Sequence, residues 1–243
     1  GYMANLGVLY ALVKPGDVVF SDELNHASII DGCRIARAET MVYKHNDMQD
    51  LERLLMVAPV QGERFIITDG VFSMDGDIAN LPELVRLKEK YNACLIVDDA
   101  HAVGVIGADG SGTAAHYNLQ GKVDIQIGTL SKALAAEGGY AAANSVIIEY
   151  LINKSRPFIF STALPGTVTA AALAALCLLR QYPEKYLGKL KANAALMRRL
   201  LAEEGLEVVP GITPVVPVLV GSTEKTMKFM AELLNAGILI SGI

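Results

Sequence analysis

Ala93-Cys94-Leu95-Ile96-Val97-Asp98-Asp99-Ala100-His101 is a short apolar run that closes on two acids and a histidine. A run of this length with no polar alternation reads as a strand buried on both faces, the kind found in parallel sheets covered by helices. A second such run, Val123 to Ile127, leads into Gly128-Thr129-Leu130-Ser131-Lys132-Ala133. Side chains alternate along a strand, so Asp98 and Asp99 point to opposite faces and only one of them can reach a given ligand.

Working outward, the same pattern repeats. Val18 to Phe20, Thr40 to Tyr43 and Phe65 to Thr68 read as further strands, while Ala27 to Ala38, Met48 to Met56 and Leu81 to Tyr91 carry helical spacing between them. Alternation of this kind predicts an α/β fold with a mostly parallel central sheet and helices on both faces. Ligands of such sheets collect at the carboxyl ends of the strands, where Asp69-Gly70, Asp98 and Thr129 fall. Beyond Pro165, the helix-like stretches Thr167 to Arg180 and Glu184 to Glu204 are followed by Val215 to Val220, Glu224 to Ala236 and Ile238 to Ile240. This predicts a large domain over residues 1–181 and the start of a smaller α+β domain over 182–243. Gly107 to Gly112 is glycine-rich, but it lacks the nucleotide-binding spacing and reads as a turn.

A lysine at a Gly/Ser/Thr-rich strand exit, with an acid at the exit of a neighbouring strand, suits pyridoxal phosphate. That cofactor needs a covalent amine, an acid that keeps its pyridine nitrogen protonated, a phosphate cradle and a stacking partner. Each element alone is a weak signal, since a lysine after Gly-Thr-Leu-Ser is more often a solvated one and an Asp-Asp pair more often a cap. Gly1-Tyr2-Met3-Ala4-Asn5 opens an apolar helix-like stretch running to Leu12, and a helix N-terminus presents unpaired amides to an anion.

Four strings stand in order along the chain: Ser21 to Gly32 (with Asn25-His26-Ala27-Ser28), Thr68 to Asp77, Val97 to His101 and Gly128 to Ala133. Together they resemble the α-oxoamine synthases, pyridoxal-phosphate enzymes of the aspartate-aminotransferase fold (fold type I), over essentially the whole chain. The resemblance implies that Lys132 is the covalent anchor, Asp98 the acid at the ring nitrogen, His101 the partner of the ring's phenolic oxygen and His26 the group stacked on the ring. Ser73 matches a position at the same edge of the cofactor, and Thr129 a hydroxyl one helical turn before the lysine. Gly1 and Tyr2 match the phosphate-holding pair. Ser161 and Thr162 match a segment that reaches the phosphate of a partner subunit, so a homodimer with its site at the interface is implied.

The reaction implied is a decarboxylative condensation of an amino acid with an acyl-CoA or acyl-carrier-protein thioester, giving an aminoketone. Lys132 would also act as general base, and burial of its amine is expected to help. Within the family, Asp98 to His101 and Gly128 to Ala133 favour the branch that uses alanine and a pimeloyl thioester. The branch using glycine and acetyl-CoA is the alternative. A catalytically silent subunit would be expected to lack the lysine or its acid, and both are present.

The remaining composition fits an enzyme core. The chain has 243 residues, 52% of them hydrophobic, and a formal net charge of −5, which argues against nucleic-acid binding. The longest apolar stretch, Ala170 to Leu179, is half the roughly 20 residues a membrane span needs. Cys33, Cys94 and Cys177 lack metal-ligand spacing and read as free thiols of a cytoplasmic protein. The ends match interior motifs of the family, so a fragment is expected, with the family's carboxylate-binding arginine outside it. Ala135-Ala136 and Ala141-Ala142-Ala143 stand where relatives often have glycine and are expected to tighten the backbone near the lysine.

Overall fold

The computed structural model describes residues 1–59 and 61–243. In chain order it contains α1 (Tyr2–Leu12), β1 (Val18–Asp22), α2 (Ala27–Ala36), β2 (Glu39–Tyr43), α3 (Met48–Val57), β3 (Arg64–Asp69), α4 (Leu81–Tyr91) and β4 (Ala93–Asp98). Then come α5 (Thr113–His116), β5 (Ile125–Thr129), β6 (Gly139–Ala143), α6 (Ser145–Lys154), α7 (Arg156–Ile159), α8 (Gly166–Gln181), a π-helical turn (Glu184–Gly188), α9 (Lys189–Glu203) and α10 (Thr223–Asn235). The strands form one sheet in the order β2-β1-β3-β4-β5-β6, parallel except for the antiparallel β5–β6 pair.

Period-2 alternation along the strands splits the core into two layers. Val18, Phe20, Ile66, Leu95 and Val97 face α3 and α4 with Leu51, Leu55, Leu84 and Leu87. Val19, Phe65, Ile67, Ile96, Ile125 and Ile127 face α1, α2 and α6 with Leu9, Ile29 and Leu151. Full burial of each such side chain contributes about 1.5–3 kcal/mol, which is why the strands read as continuous apolar runs.

Local chemistry sets the element ends. Asp47 caps α3 by accepting from the backbone N–H of Gln49 and Asp50. Arg37 (φ 59) and Asn92 (φ 50) end α2 and α4 in left-handed conformations. The predicted helix over Ala27 to Ala38 therefore stops at Ala36, whereas the one over Leu81 to Tyr91 matches. The strand predicted from Val123 begins at Ile125, because the Asp124 carboxylate takes the Leu95 N–H at 2.7 Å, the bond a strand residue would otherwise offer.

Three expectations are corrected. Gly139–Ala143, including the alanines thought to tighten the lysine loop, is the edge strand β6 and pairs along its length with β5. Val215 to Val220 contributes an isolated bridge, Val208 to Val218, and Ile238 to Ile240 forms no strand among the described residues. Glu184 to Glu204 starts as a π turn before becoming α-helical. The C-terminal segment docks on the loop after β3: Thr213 Oγ1 donates to Gly76 O at 2.6 Å, and Arg198 donates to Thr213 O at 2.7 Å.

Candidate active site

Four parallel strands end together, and their last residues carry the polar groups. Asp22 closes β1, Asp69 β3, Asp98 β4 and Thr129 β5, with Asp69 and Asp98 directly paired in register. All four are buried. The end of a parallel sheet is where such groups can be packed inward and still face one ligand.

Asp98 and Asp99 point to opposite faces, as strand alternation requires. Asp98 Oδ1 accepts from Ala100 N at 2.9 Å and Oδ2 from Asn5 Nδ2 at 2.5 Å. Asp99 turns to the other face, where Thr113 Oγ1 donates to it at 2.6 Å and Thr113 N at 3.1 Å. The glycine-rich loop wraps this second acid: a Cβ on Gly112, which sits at φ +96, would stand 2.4 Å from Asp99 Oδ2. The loop is a turn and is built around a structural carboxylate.

Lys132 lies in the nine-residue connection between Thr129 and Gly139, which is turn and bend. Two expectations need correction here. No helix separates Thr129 from Lys132, since Thr129 ends a strand. Lys132 is exposed, so the chain does not by itself bury the amine. Its charge nevertheless acts on Asp69, His101 and the Gly1 nitrogen, which brings all of them into one cluster with Asp98.

The electrostatics follow from burial. Desolvation pushes Asp69 up to about 8, with the neighbouring Asp98 charge adding to it. Desolvation also brings the half-buried His101 down to about 4, helped by Lys132, so its imidazole is neutral at pH 7. Asp99 is raised to about 6 by burial, which outweighs the Thr113 bonds that favour its charge.

His26 caps α2, and Ser28 N donates to its Nδ1 at 3.2 Å. Its backbone N–H donates to Asp69 Oδ2 at 2.8 Å, and the Tyr2 ring stands edge-on to it with centroids 6.4 Å apart. Gly1 N is 3.2 Å from Thr129 Oγ1, so the start of α1 meets the end of β5. Ser73 is half-buried in the loop after β3, in the segment where Gly70 N donates to the Asp98 carbonyl at 2.8 Å. Ser161 and Thr162 are exposed between α7 and α8, and among the described residues no hydrogen bond ties them to the cluster.

The residues present fit pyridoxal phosphate. An amine on a loop shares one charge cluster with an acid fixed by a neutral amide. The first turn of α1 has no acidic side chain and no side-chain cap, leaving amides for an anion beside the Thr129 hydroxyl. Asn5 Oδ1 is buried without a partner, an unused acceptor at the centre of the cluster. A separate cavity of about 950 Å³, lined by Lys14, Arg34, Arg37, Lys154 and Arg156, lies at the far end of α1 and belongs to none of this chemistry.

Sequence reasoning missed Asn5 and Ser28, and it placed Asp69 at a strand exit without giving it a role. Asn5 looks like an interior helix polar residue, and Ser28 stands only as a member of a longer string. The available signal was a polar residue on the buried side of an otherwise apolar helix: Asn5 and Ser28 are both fully buried.

The family model for aminotransferase class I and II matches residues 1–243. An 8-amino-7-oxononanoate synthase of Thermoanaerobacter pseudethanolicus is 50% identical over all of this chain and 62% of its own length. One from Geobacter sulfurreducens is 51% identical with the same coverage. Among solved structures, a serine palmitoyltransferase from S. paucimobilis with bound PLP superposes with a TM-score of 0.94 at 33% identity, over 99% of this chain and 62% of that one. The 8-amino-7-oxononanoate synthase of Francisella tularensis gives 0.85 at 31% identity, over 99% and 70%. The chain thus spans 62% of the length of these curated relatives.

Proposed function

The chain belongs to the aminotransferase class I and II family, and on that premise we propose that it is the cofactor-binding part of a pyridoxal-phosphate-dependent acyltransferase with 8-amino-7-oxononanoate synthase activity. The reaction is the decarboxylative condensation of L-alanine with a pimeloyl thioester, on CoA or a carrier protein, in biotin biosynthesis. The observation that carries the reading is Lys132 and Asp98 at the exits of adjacent parallel strands, in one charge cluster. Identity of 47–51% to synthases of this name supports the substrate class.

When bound, the cofactor supplies an electron sink for the carbanion of the amino acid. Lys132 would anchor it and serve as the base for the α-proton. Asp98 would keep a proton on the ring nitrogen, His26 would stack on the ring, and His101, as a neutral imidazole, would hydrogen-bond the phenolic oxygen. Gly1, Tyr2 and Thr129 would hold the phosphate, and Ser73 would border the substrate side. Ser161 and Thr162 would reach the phosphate of the partner subunit in a homodimer. Support for that arrangement is the exposed apolar segment at Phe158, Ile159, Phe160 and Leu164 just beside them. Residues 1–181 form the large domain and 182–243 begin the small one. A cytoplasmic location is proposed from the similarity to biotin-biosynthesis synthases; no helix among the described residues is long and apolar enough to cross a membrane.

Glycine C-acetyltransferase activity is the alternative within the family. Loading with pyridoxal phosphate, borohydride reduction and peptide mapping test the cofactor site, with label expected on Lys132. Turnover of alanine with pimeloyl-CoA against glycine with acetyl-CoA tests the substrates. Preference for the second pair overturns the proposed activity.

A further inference from the structure

Between the two groups assigned above to the ring nitrogen and to the ring face of the cofactor, Asp98 and His26, the structure holds a continuous hydrogen-bonded path. Asn5 Nδ2 donates to Asp98 Oδ2 at 2.5 Å and to Ser28 Oγ at 2.9 Å, using both of its hydrogens. Ser28 Oγ lies 2.7 Å from His26 Nδ1, and Ser28 N donates to the same nitrogen at 3.2 Å. The directions follow from the donor inventory. A carboxylate accepts only, so the amide nitrogen of Asn5 must face it. The Ser28 oxygen receives the other amide hydrogen, which leaves its own hydroxyl hydrogen for His26. Nδ1 of His26 is therefore an acceptor from both the hydroxyl and the backbone N–H, and the ring proton sits on Nε2.

We propose that Asn5 and Ser28 are positioning residues that act as one unit: the Asn5 amide fixes the orientation of the Asp98 carboxylate and, through the Ser28 hydroxyl, holds the His26 imidazole in its Nε2–H tautomer. The inference rests on the cofactor site proposed above. Its physical basis is burial. Asn5 and Ser28 have no access to solvent, so no water competes for the bonds of the Asn5 amide, whereas His26 is exposed and takes its Nδ1 bonds from the buried Ser28 side. The unit also ties together three elements, α1, α2 and β4.

The test begins on the protein without cofactor. Nitrogen-15 NMR of the His26 ring should show an unprotonated, hydrogen-bonded Nδ1 and a protonated Nε2. Ser28→Ala and Asn5→Ala should mix the tautomers, and Ser28→Thr, which keeps the hydroxyl, should restore the original pattern. With cofactor added, Asn5→Ala should raise its dissociation constant at least ten-fold and shift the pH titration of its visible band. If Asn5→Ala fails to fold, Ser28→Ala alone decides the tautomer. An unchanged His26 tautomer in folded Ser28→Ala overturns the proposal, as does loss of thermal stability in both variants with no change in tautomer or band. If the parent shows the Nε2–H pattern but binds no pyridoxal phosphate, the cofactor reading fails while the tautomer result still judges the hydrogen-bonded unit.

Discussion

Asp98 and Asp99, adjacent in the chain, serve different structures: the first is fixed by Asn5 from α1 at 2.5 Å, the second by Thr113 from α5 at 2.6 Å. One peptide unit of strand thus divides a ligand-facing acid from a fold-holding one. Asp98→Asn should cut turnover by roughly a hundred-fold or more, since the amide cannot hold a proton on the ring nitrogen, and should also cost about 1–3 kcal/mol of stability because one of its two buried donors, Ala100 N or Asn5 Nδ2, then faces an NH2 group. Asp99→Asn should carry a stability cost of the same order, about 1–3 kcal/mol through mismatched bonds to Thr113, but retain cofactor and turnover. Activity of both variants separates the two roles, with chemical denaturation checking the stability cost, and an equal loss of activity would remove the distinction.

Ala135 is in the lysine loop at φ +49, a left-handed conformation that glycine adopts without strain. Of the alanines standing where relatives often carry glycine, this is the one with a positive φ; Ala141 to Ala143 lie extended in β6. Ala135→Gly should stabilise the protein by about 1 kcal/mol, the cost of αL for an L-residue offset by added unfolded-state freedom. Ala135→Val should destabilise it by more. Thermal melts of the two variants are the measurement, and the same sign for both would contradict the backbone argument.

Stability should fall as pH rises from about 6.5 to 8. Burial, with the Asp98 charge, raises Asp69 to about 8, so the folded state holds a proton there that the unfolded state has released. Burial opposes charge on His45, but its bonds to Asp22 and Asp77, each 3.0 Å long, outweigh that and raise it. A raised histidine contributes fully below its unfolded value of 6.5 and loses that contribution above its folded one. His101, lowered to about 4, acts in the opposite direction, but only below 6.5. Urea denaturation of the cofactor-free protein across this range should show the decline, and His45→Gln should flatten it.

Reading the sequence located what depends on local chemistry. The strand Ala93 to Asp98 and the helix Leu81 to Tyr91 emerge from apolar runs and periodicity, and Lys132 and Asp98 stand out because strand exits gather ligands. Gly139–Ala143 was not legible as a strand, since glycine and alanine carry weak β preference and its position comes from pairing with β5. Val215 to Val220 has the composition of a strand, but composition supplies no neighbour. Asn5 was hidden for a related reason: its significance lies in a partner 93 positions away.

The lysine and its acid also differ in when folding can deliver them. The β5–β6 connection that carries Lys132 joins strands close in sequence and can close as a local hairpin. The contact that fixes Asp98 spans 93 residues and must wait until α1 has docked across the sheet. In refolding of the whole chain, capacity to bind the cofactor is therefore expected to rise with the docking of α1 and to serve as a kinetic marker for completed assembly of the sheet.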